Sequence, residues 1–469
     1  NYTVRVSLQG FKEYIEEGVP VTPNTVSRVN VILEVGALTE AITVQSERAL
    51  LQTDSGDLNS QLDSDEIENL PLGNYRNYQK LLDLVPGTTP ARFQNAVTDT
   101  PARSLSTNVN GLNRNNNNTR LDGATNVYIW LPHHAVYVAP SETVETVNIS
   151  TASFDAEQGM AGGAAIAVAT KSGTNEFHGS GTFLFENDSL RARNWANTAG
   201  EKPKSDRKIG AATLGGPNIK DKLFFFAGWE GHYTETPNTR TGTLPTAAMR
   251  AGDFSSFGTT IYDPLTGDPN TGAGRTPFPN NIIPAGRIDP IAAQLQALLP
   301  LPNGSGTTSN YRDSGVTTFD RNNYDVKVNW NISNAFQVFG KYSRMDALVN
   351  SDMWLGNPDQ GGAGGSGWGV GSGPGDTKVQ LGTLGATWTV SPTFLVDITL
   401  ATSRFDQGCI PPDFGVQYGT DVFGIPGTNA DSPGSGDEFA GRYSGMPRFG
   451  ISNYTAFGGV DGWTPAFRN

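Results

Sequence analysis

The side chains best suited to recognising a small molecule lie close together in the chain: Tyr128, Trp130, His133, His134 and Tyr137. Aromatic rings beside imidazoles can stack on a sugar or a peptide, or hold a metal chelate. They are the candidate substrate-binding residues. In the competing reading the rings pack on neighbouring structure and the imidazoles are solvated. The adjacency of the two histidines favours that reading, because the strong helical metal pair is spaced i,i+4.

No set of residues points to a chemical step. The chain has no G-x-S-x-G, no P-loop and no H-E-x-x-H. No carboxylate pair is placed by sequence at the separation a glycosidase uses. Gly362-Ala-Gly-Gly-Ser-Gly367 has the G-x-G-x-x-G form. It neither follows a strand directly nor opens a helix, so it reads as a loop rather than a dinucleotide cradle. Asp352, Asp359 and Asp376 lie near it at no spacing that a Ca²⁺ loop uses. The expectation is a non-enzyme with no catalytic residues, no cofactor and no metal.

Composition narrows the class. A net charge of -13 argues against a nucleic-acid or anionic-lipid partner. The apolar share is 36%, and counting the 56 glycines brings it to about 48%, the ordinary globular range. The single cysteine, Cys409, rules out an internal disulfide and a Cys-based metal cluster, and reads as a buried or loop thiol. No stretch approaches the ~18 consecutive apolar residues of a transmembrane helix, and the most apolar windows, such as 223–229, are strand-sized. The chain opens on Asn1-Tyr-Thr-Val-Arg-Val-Ser-Leu8, which is no signal peptide but a strand already under way. The N-terminus is therefore expected to be cut inside a domain.

Residues 1–35 read as the end of a small β-sandwich domain. Tyr2, Val4, Val6 and Leu8 alternate with polar residues, and so do Val29, Val31 and Leu33. Residues 36–172 read as a compact α+β domain with short strands at 41–45, 144–149 and 164–170. A helix is expected at 63–70, where acidic residues suit the N-terminal dipole, and a second at 74–84, stopped by Pro86-Gly87. The Asn-rich run 108–118 reads as a polar loop or strand edge.

From 173 onward the pattern is strands and loops. Seven strands are expected, at 176–187, 207–216, 222–233, 321–331, 335–346, 378–390 and 393–405. In the clearest, Tyr324, Val326, Val328 and Trp330 share one face, and a period of two does this in any strand. Glu230, His232, Asp325, Lys327, Lys341 and Lys222 are expected on the opposite, wet side. Short connections alternate with long ones, and aromatics at 224–226, 330, 336, 388 and 394 cluster beside the short turns. Strands of this length, asymmetric loops and an interfacial aromatic row are the pattern of an outer-membrane barrel. The long connection at 234–320 carries a short helix and turn at 244–254 and an amphipathic helix at 288–299, suggesting an ordered cap over the mouth.

The fold class is thus mainly β: a partial transmembrane antiparallel β-barrel of about seven strands with a compact α+β domain, preceded by the end of a small β-sandwich. An odd count cannot close a bacterial single-chain barrel, so further strands are expected after 469. Two rival readings are a secreted or surface-attached β-rich adhesin and a polysaccharide hydrolase.

Several motifs together resemble the TonB-dependent outer-membrane receptors, in particular the Oar-like group with an N-terminal carboxypeptidase regulatory-like domain. Val29-Asn-Val-Ile-Leu-Glu-Val35 with Glu40-Ala-Ile-Thr-Val44 looks like the junction to the plug. Ile67-Glu-Asn-Leu-Pro71, Val109-Asn-Gly111, Leu121-Asp-Gly123, Phe154-Asp-Ala-Glu-Gln-Gly159 and Val168-Ala-Thr-Lys-Ser-Gly-Thr-Asn175 look like the plug. Gly215-Gly-Pro217 followed by Lys222-Leu-Phe-Phe-Phe226 looks like the first barrel hairpin. The resemblance divides the chain into 1–35, the end of the regulatory-like domain; 36–172, the plug; and 173–469, barrel with long extracellular loops. It implies an outer-membrane location, contact with membrane lipid, an extracellular substrate, and a periplasmic TonB-type protein that pulls on the plug. The segment that meets TonB is expected upstream of residue 1. The stretch 126–137 would be an outward-facing plug loop.

Overall fold

The computed structural model describes residues 2–19, 28–36, 41–45, 58–73, 75–95, 97–152, 154, 158–159, 161–190, 192, 205–351, 353–364, 375–429, 443–459 and 466–468. Its strands form three sheets. The first holds β1 (Tyr2–Val6), β2 (Glu13–Val19) and β3 (Ala41–Gln45). β1 and β2 run antiparallel, and β3 joins β2 in parallel. The strand expected at 41–45 thus belongs with the N-terminal strands. The strand expected around Val29, Val31 and Leu33 does not form. That segment keeps the alternating exposure, but among the described residues its one backbone pairing is the Phe11–Val35 bridge, beside a Lys12–Glu34 ion pair, so it forms no ladder.

The second sheet is the frame of an inner domain: β4 (Asn59–Asp63), β5 (Asn118–Leu121), β6 (Ala124–Thr125), β7 (Val144–Ser150) and β8 (Ala165–Thr170), in the order β4-β7-β8-β5-β6. Helix α1 (Ser64–Asn69) starts where Asp63 and Glu66 form a reciprocal capping box. Between Leu121 and Ala124 the chain reverses in two residues, Asp122 (φ 46) and Gly123 (φ 82). Positive φ at both positions makes this a type I′ hairpin, for which Asp-Gly is a preferred pair. The second expected helix is a 3₁₀ segment over Tyr78–Leu84. It starts late because Asn77 turns its amide to the Arg103 carbonyl (2.8 Å) while its oxygen caps the Gln79 N–H (2.8 Å), and Arg76 stands at φ 46.

The third sheet is an antiparallel meander of eight strands: β9 (His178–Asn187), β10 (Asp206–Ile219), β11 (Leu223–Gly242), β12 (Tyr311–Ser333), β13 (Phe336–Ser351), β14 (Gly375–Ser391), β15 (Phe394–Cys409) and β16 (Ala466–Arg468). The sheet is not closed on itself. The seven expected strands all form, and the eighth is short, pairing with β15 only at Gln407–Cys409. Strands β11 to β14 run well past their expected ends on the loop side. The extensions of β11 and β14 are polar on both faces and carry no alternation to read, whereas those of β12 and β13 bury Phe319, Ala347 and Val349.

The two faces of this sheet differ. Tyr324, Val326, Val328, Trp330 and Ile332 are exposed on the outer face, with Tyr342, Leu384, Trp388, Phe394, Ile398 and Leu400 on neighbouring strands. From Ile332 to Tyr324 the apolar row spans nine residues, the length a tilted strand needs to cross hydrocarbon. Phe225 belongs to this face, opposite Val328, whereas Phe224 and Phe226 are buried on the inner one. Glu230, His232, Asp325, Lys327 and Lys341 point inward, as the alternation predicts. Lys222 does not: it lies exposed in the turn before β11.

The inner domain packs into the concave face. Its buried residues Ile67, Tyr78, Val144, Val147 and Ile149 form one cluster with Phe319, Met345, Val349, Val379 and Leu381 of the wall. On the loop side Leu244, Leu295, Leu299, Leu355, Met446 and Phe457 make a second core shared by three connections. It includes α3 (Pro290–Leu298), and α2 (Ala247–Arg250) stands beside it, tied to α3 by Arg250, which donates to the Gln296 carbonyl at 2.9 Å.

Val328 sits at the middle of the outer row. Val328→Arg should lower stability by about 2–4 kcal/mol, and Asn322→Arg, beyond the row, by no more than about 1 kcal/mol. Equilibrium urea unfolding in lipid vesicles checks the difference.

Candidate functional site

The five predicted recognition residues do not share one surface. Trp130 is 67% exposed at the tip of the 126–137 loop, beside Ile129 at 88%. Tyr128 is buried and lies against Phe405 of β15, ring centroids 4.5 Å apart. Tyr137 is fully buried and donates its hydroxyl to Asp325 at 2.5 Å. His134 is buried, His133 partly so, and their Nε2 atoms lie 2.9 and 3.1 Å from the same Asn95 oxygen. With Nε2 protonated, both neutral rings donate to that oxygen.

Burial, reinforced by the charge of Arg114, lowers the His133 imidazole to about 4. Burial, then the charges of His133 and Arg114, lowers His134 to about 3. A cavity of about 20 Å³ beside them, lined by Gln79, Thr107, Asn117, Thr119 and Pro132, is water-sized. Among the described residues no group of three or more His, Cys, Asp or Glu is placed to hold a metal ion. The glycine-rich run over 365–374 and Asp352 lie outside the described residues.

The densest electrostatics lie deeper, between inner domain and wall. Lys327 and Lys341 stand directly opposite each other on β12 and β13. Two like charges in cross-strand register repel. The Asp122 carboxylate enters between them from its I′ turn, 2.9 Å from each ammonium. Thr170 completes the shell, donating its N–H (3.1 Å) and hydroxyl (2.7 Å) to Asp122 and accepting from Lys327 through its carbonyl (3.0 Å). Burial alone would raise the Asp122 carboxyl, but Lys341 and Lys327 outweigh it and hold the group well below the usual carboxylate range.

Asp325 extends the network. It accepts from Tyr137 and from the Ser343 hydroxyl (2.6 Å) and lies 3.6 Å from Lys341. Higher on the wall, Arg321 pairs with Glu230 at 2.8 Å and donates to the Ala102 carbonyl at 3.0 Å. Asn323 donates to the Val138 carbonyl at 3.0 Å. The alternation placed Asp325, Lys327, Lys341 and Glu230 on the inner face. Asp122 and Arg321 were missed as site residues, because nothing local ties Asp122 to lysines more than 200 positions later in the chain. The positive-φ Asp-Gly turn was the available signal.

Residues 169–469 match the family described as outer membrane beta barrel domain. The chain belongs to that family. It is accordingly an outer-membrane β-barrel protein, and the open meander is part of its barrel domain.

The chain is 28% identical to the TonB-dependent transporter Oar of Myxococcus xanthus over 257 aligned positions, which cover 51% of this chain and 23% of that protein. Similar solved structures include the following two. The outer membrane transporter YddB of Escherichia coli matches over 76% of this chain and 40% of its own, at 11% identity and TM-score 0.47. A variant of the ferric enterobactin receptor PfeA of Pseudomonas aeruginosa, in complex with enterobactin, matches over 76% of this chain and 42% of its own, at 12% identity and TM-score 0.43. The chain thus spans about a quarter of the curated relative's length and about two fifths of each of these structures' chains.

Within the barrel domain's neighbourhood the two histidines give a pH signature. Their folded values lie below the ordinary 6.5, so their neutral forms stabilise the fold above that pH. This contribution is lost as pH falls from about 6.5 through about 4 for His133 and about 3 for His134. Hydrogen exchange in 126–137 should rise over that window, and a His133→Gln, His134→Gln double variant should remove the pH dependence.

Proposed function

We propose that the protein is a receptor and transporter of the TonB-dependent class, which binds an extracellular substrate and admits it when the inner domain moves as a plug. The observation that carries this reading is the Lys327–Asp122–Lys341 bridge with its Tyr137–Asp325 neighbour. Apolar packing holds part of the contact between inner domain and wall. The contact is also held by charges and hydroxyls that water can take over once it opens. The similarity to Oar supports the same reading. On it, the energising partner is a periplasmic TonB-type protein, no bond of the substrate is made or broken, and the plug occupies 36–172. Strands β1 and β2 are read as the end of the regulatory-like domain, with β3 at the start of the plug segment paired to them.

Removing the carboxylate leaves two buried ammonium groups face to face, so Asp122→Ala should cost about 3–5 kcal/mol. In planar bilayers the full-length variant should open to ion flow at lower urea than the natural protein. Opening at the same urea concentration in both would remove the bridge from the gating mechanism, and transport in a cell lacking any TonB-type protein would remove the class.

Trp130 is the ring of the 126–137 loop left open to solvent, and it is the proposed substrate contact. Trp130→Ala should weaken substrate binding about tenfold, the value of one stacked aromatic, with no change in heat-modifiable migration. Unchanged binding by isothermal titration would eliminate the contact.

A further inference from the structure

The outer wall carries a depression as well as an apolar row. Gly340 on β13 and Gly382 on β14 both fall at outward positions, where every neighbour presents a side chain. Around them Val326, Val328, Tyr342, Leu384, Leu400 and Thr402 line a shallow, open hollow of about 620 Å³. Five of these six, all but Thr402, are large apolar side chains exposed by 38–62%. The hollow crosses β12 to β15 at one height, because Val326, Tyr342, Gly382 and Thr402 are successive partners across the sheet.

The next outward residues toward the loops change character. Tyr324, Arg344, Gln380 and Arg404 are again successive partners, so two guanidinium groups stand in one row directly above the hollow. Two residues of strand separate the levels, about 7 Å along the chain. Arg344 spends Nε and Nη2 on Asp346 (2.8 and 2.9 Å), and Arg404 reaches Asp406 only at 3.5 Å. Both side chains keep much of their surface open, 44% and 70%. The acidic charge of the whole chain does not decide this site, since exposed charges beyond about 10 Å are screened.

We propose that this hollow seats an acyl chain of a phosphate-bearing lipid from the loop-side leaflet, with Arg344 and Arg404 receiving its phosphate. An apolar cleft in the hydrocarbon band fits an acyl chain. Guanidinium groups at headgroup height form charge-assisted hydrogen bonds to phosphate, often bidentate. The pairing of an apolar trough with an arginine row selects a lipid carrying both parts.

Native mass spectrometry of the full-length protein in a non-ionic detergent tests this, with phosphatidic acid and diacylglycerol of the same chains as probes. Phosphatidic acid should bind about tenfold more tightly than diacylglycerol, a difference of about 1.4 kcal/mol. Gly340→Leu should abolish retention of both, and the variant should fold, because a Cβ at 340 meets no atom within 4 Å. An Arg344→Gln, Arg404→Gln double variant should bring phosphatidic acid down to the level of diacylglycerol. Natural affinity in either variant overturns the proposal. So does equal affinity for the two lipids, or displacement of phosphatidic acid by equimolar inorganic phosphate. None of these readouts depends on transport.

Discussion

Two lysines face one another on the inner wall, and a carboxylate from a different domain makes the arrangement tolerable. Lys327 and Lys341 are fixed opposite by the register of β12 and β13. Sliding β12 by one residue would turn Lys327 and Asp325 toward lipid and bring Val326 and Val328 to the inner face opposite Lys341. Asp122 reaches them because its turn holds two consecutive residues at positive φ. Strand register, turn conformation and domain docking therefore specify one another. The wall is not a finished scaffold into which a domain is later fitted; its buried cations are incomplete without that domain.

The wall is built for two different media. Outside, a nine-residue row of apolar and aromatic side chains ends sharply at Asn322, Arg344, Gln380 and Arg404. Inside, the charged and hydroxylic groups from Lys327 up to Arg321 share the wall with Phe319, Met345, Val349, Val379 and Leu381, which merge with the inner domain's core. The interior is therefore not uniformly wet. One zone is held by dispersion and burial, the other by ion pairs. The second zone holds the contacts that solvent can replace.

How much of this was legible follows from which interactions are local. The alternation of Tyr324, Val326, Val328 and Trp330 is imposed by lipid on one side and protein on the other, so the strands and their faces could be read directly. The same rule misplaced Lys222, because a turn residue is outside the pleat. It also stopped short along β11 and β14, where the added residues are polar on both faces and no contrast remains. The segment at 29–33 alternates as a strand does, yet it forms no ladder, and alternation reports a face rather than a hydrogen bond. Tyr128 to Tyr137 looked like one cluster because they are near in sequence. Packing against Phe405, Asp325 and Asn95 pulls four of the five inward and leaves Trp130 outside. Asp122 was invisible as a partner of Lys327 and Lys341 because tertiary distance, not spacing, brings them together.

On the loop side, Leu244, Leu295 and Leu299 come from one connection, Leu355 and Ala363 from a second, and Met446 and Phe457 from a third. Backbone bonds stitch them: Thr455 donates to the Thr243 carbonyl and Gly458 to that of Ala363. A core divided among three connections gives none of them enough apolar surface to hold its own shape. Evolution therefore cannot refashion one at leisure while the others stand still. Variation among related barrels should travel as matched triplets, and a chimera that inherits a single foreign connection would lose the shape of all three.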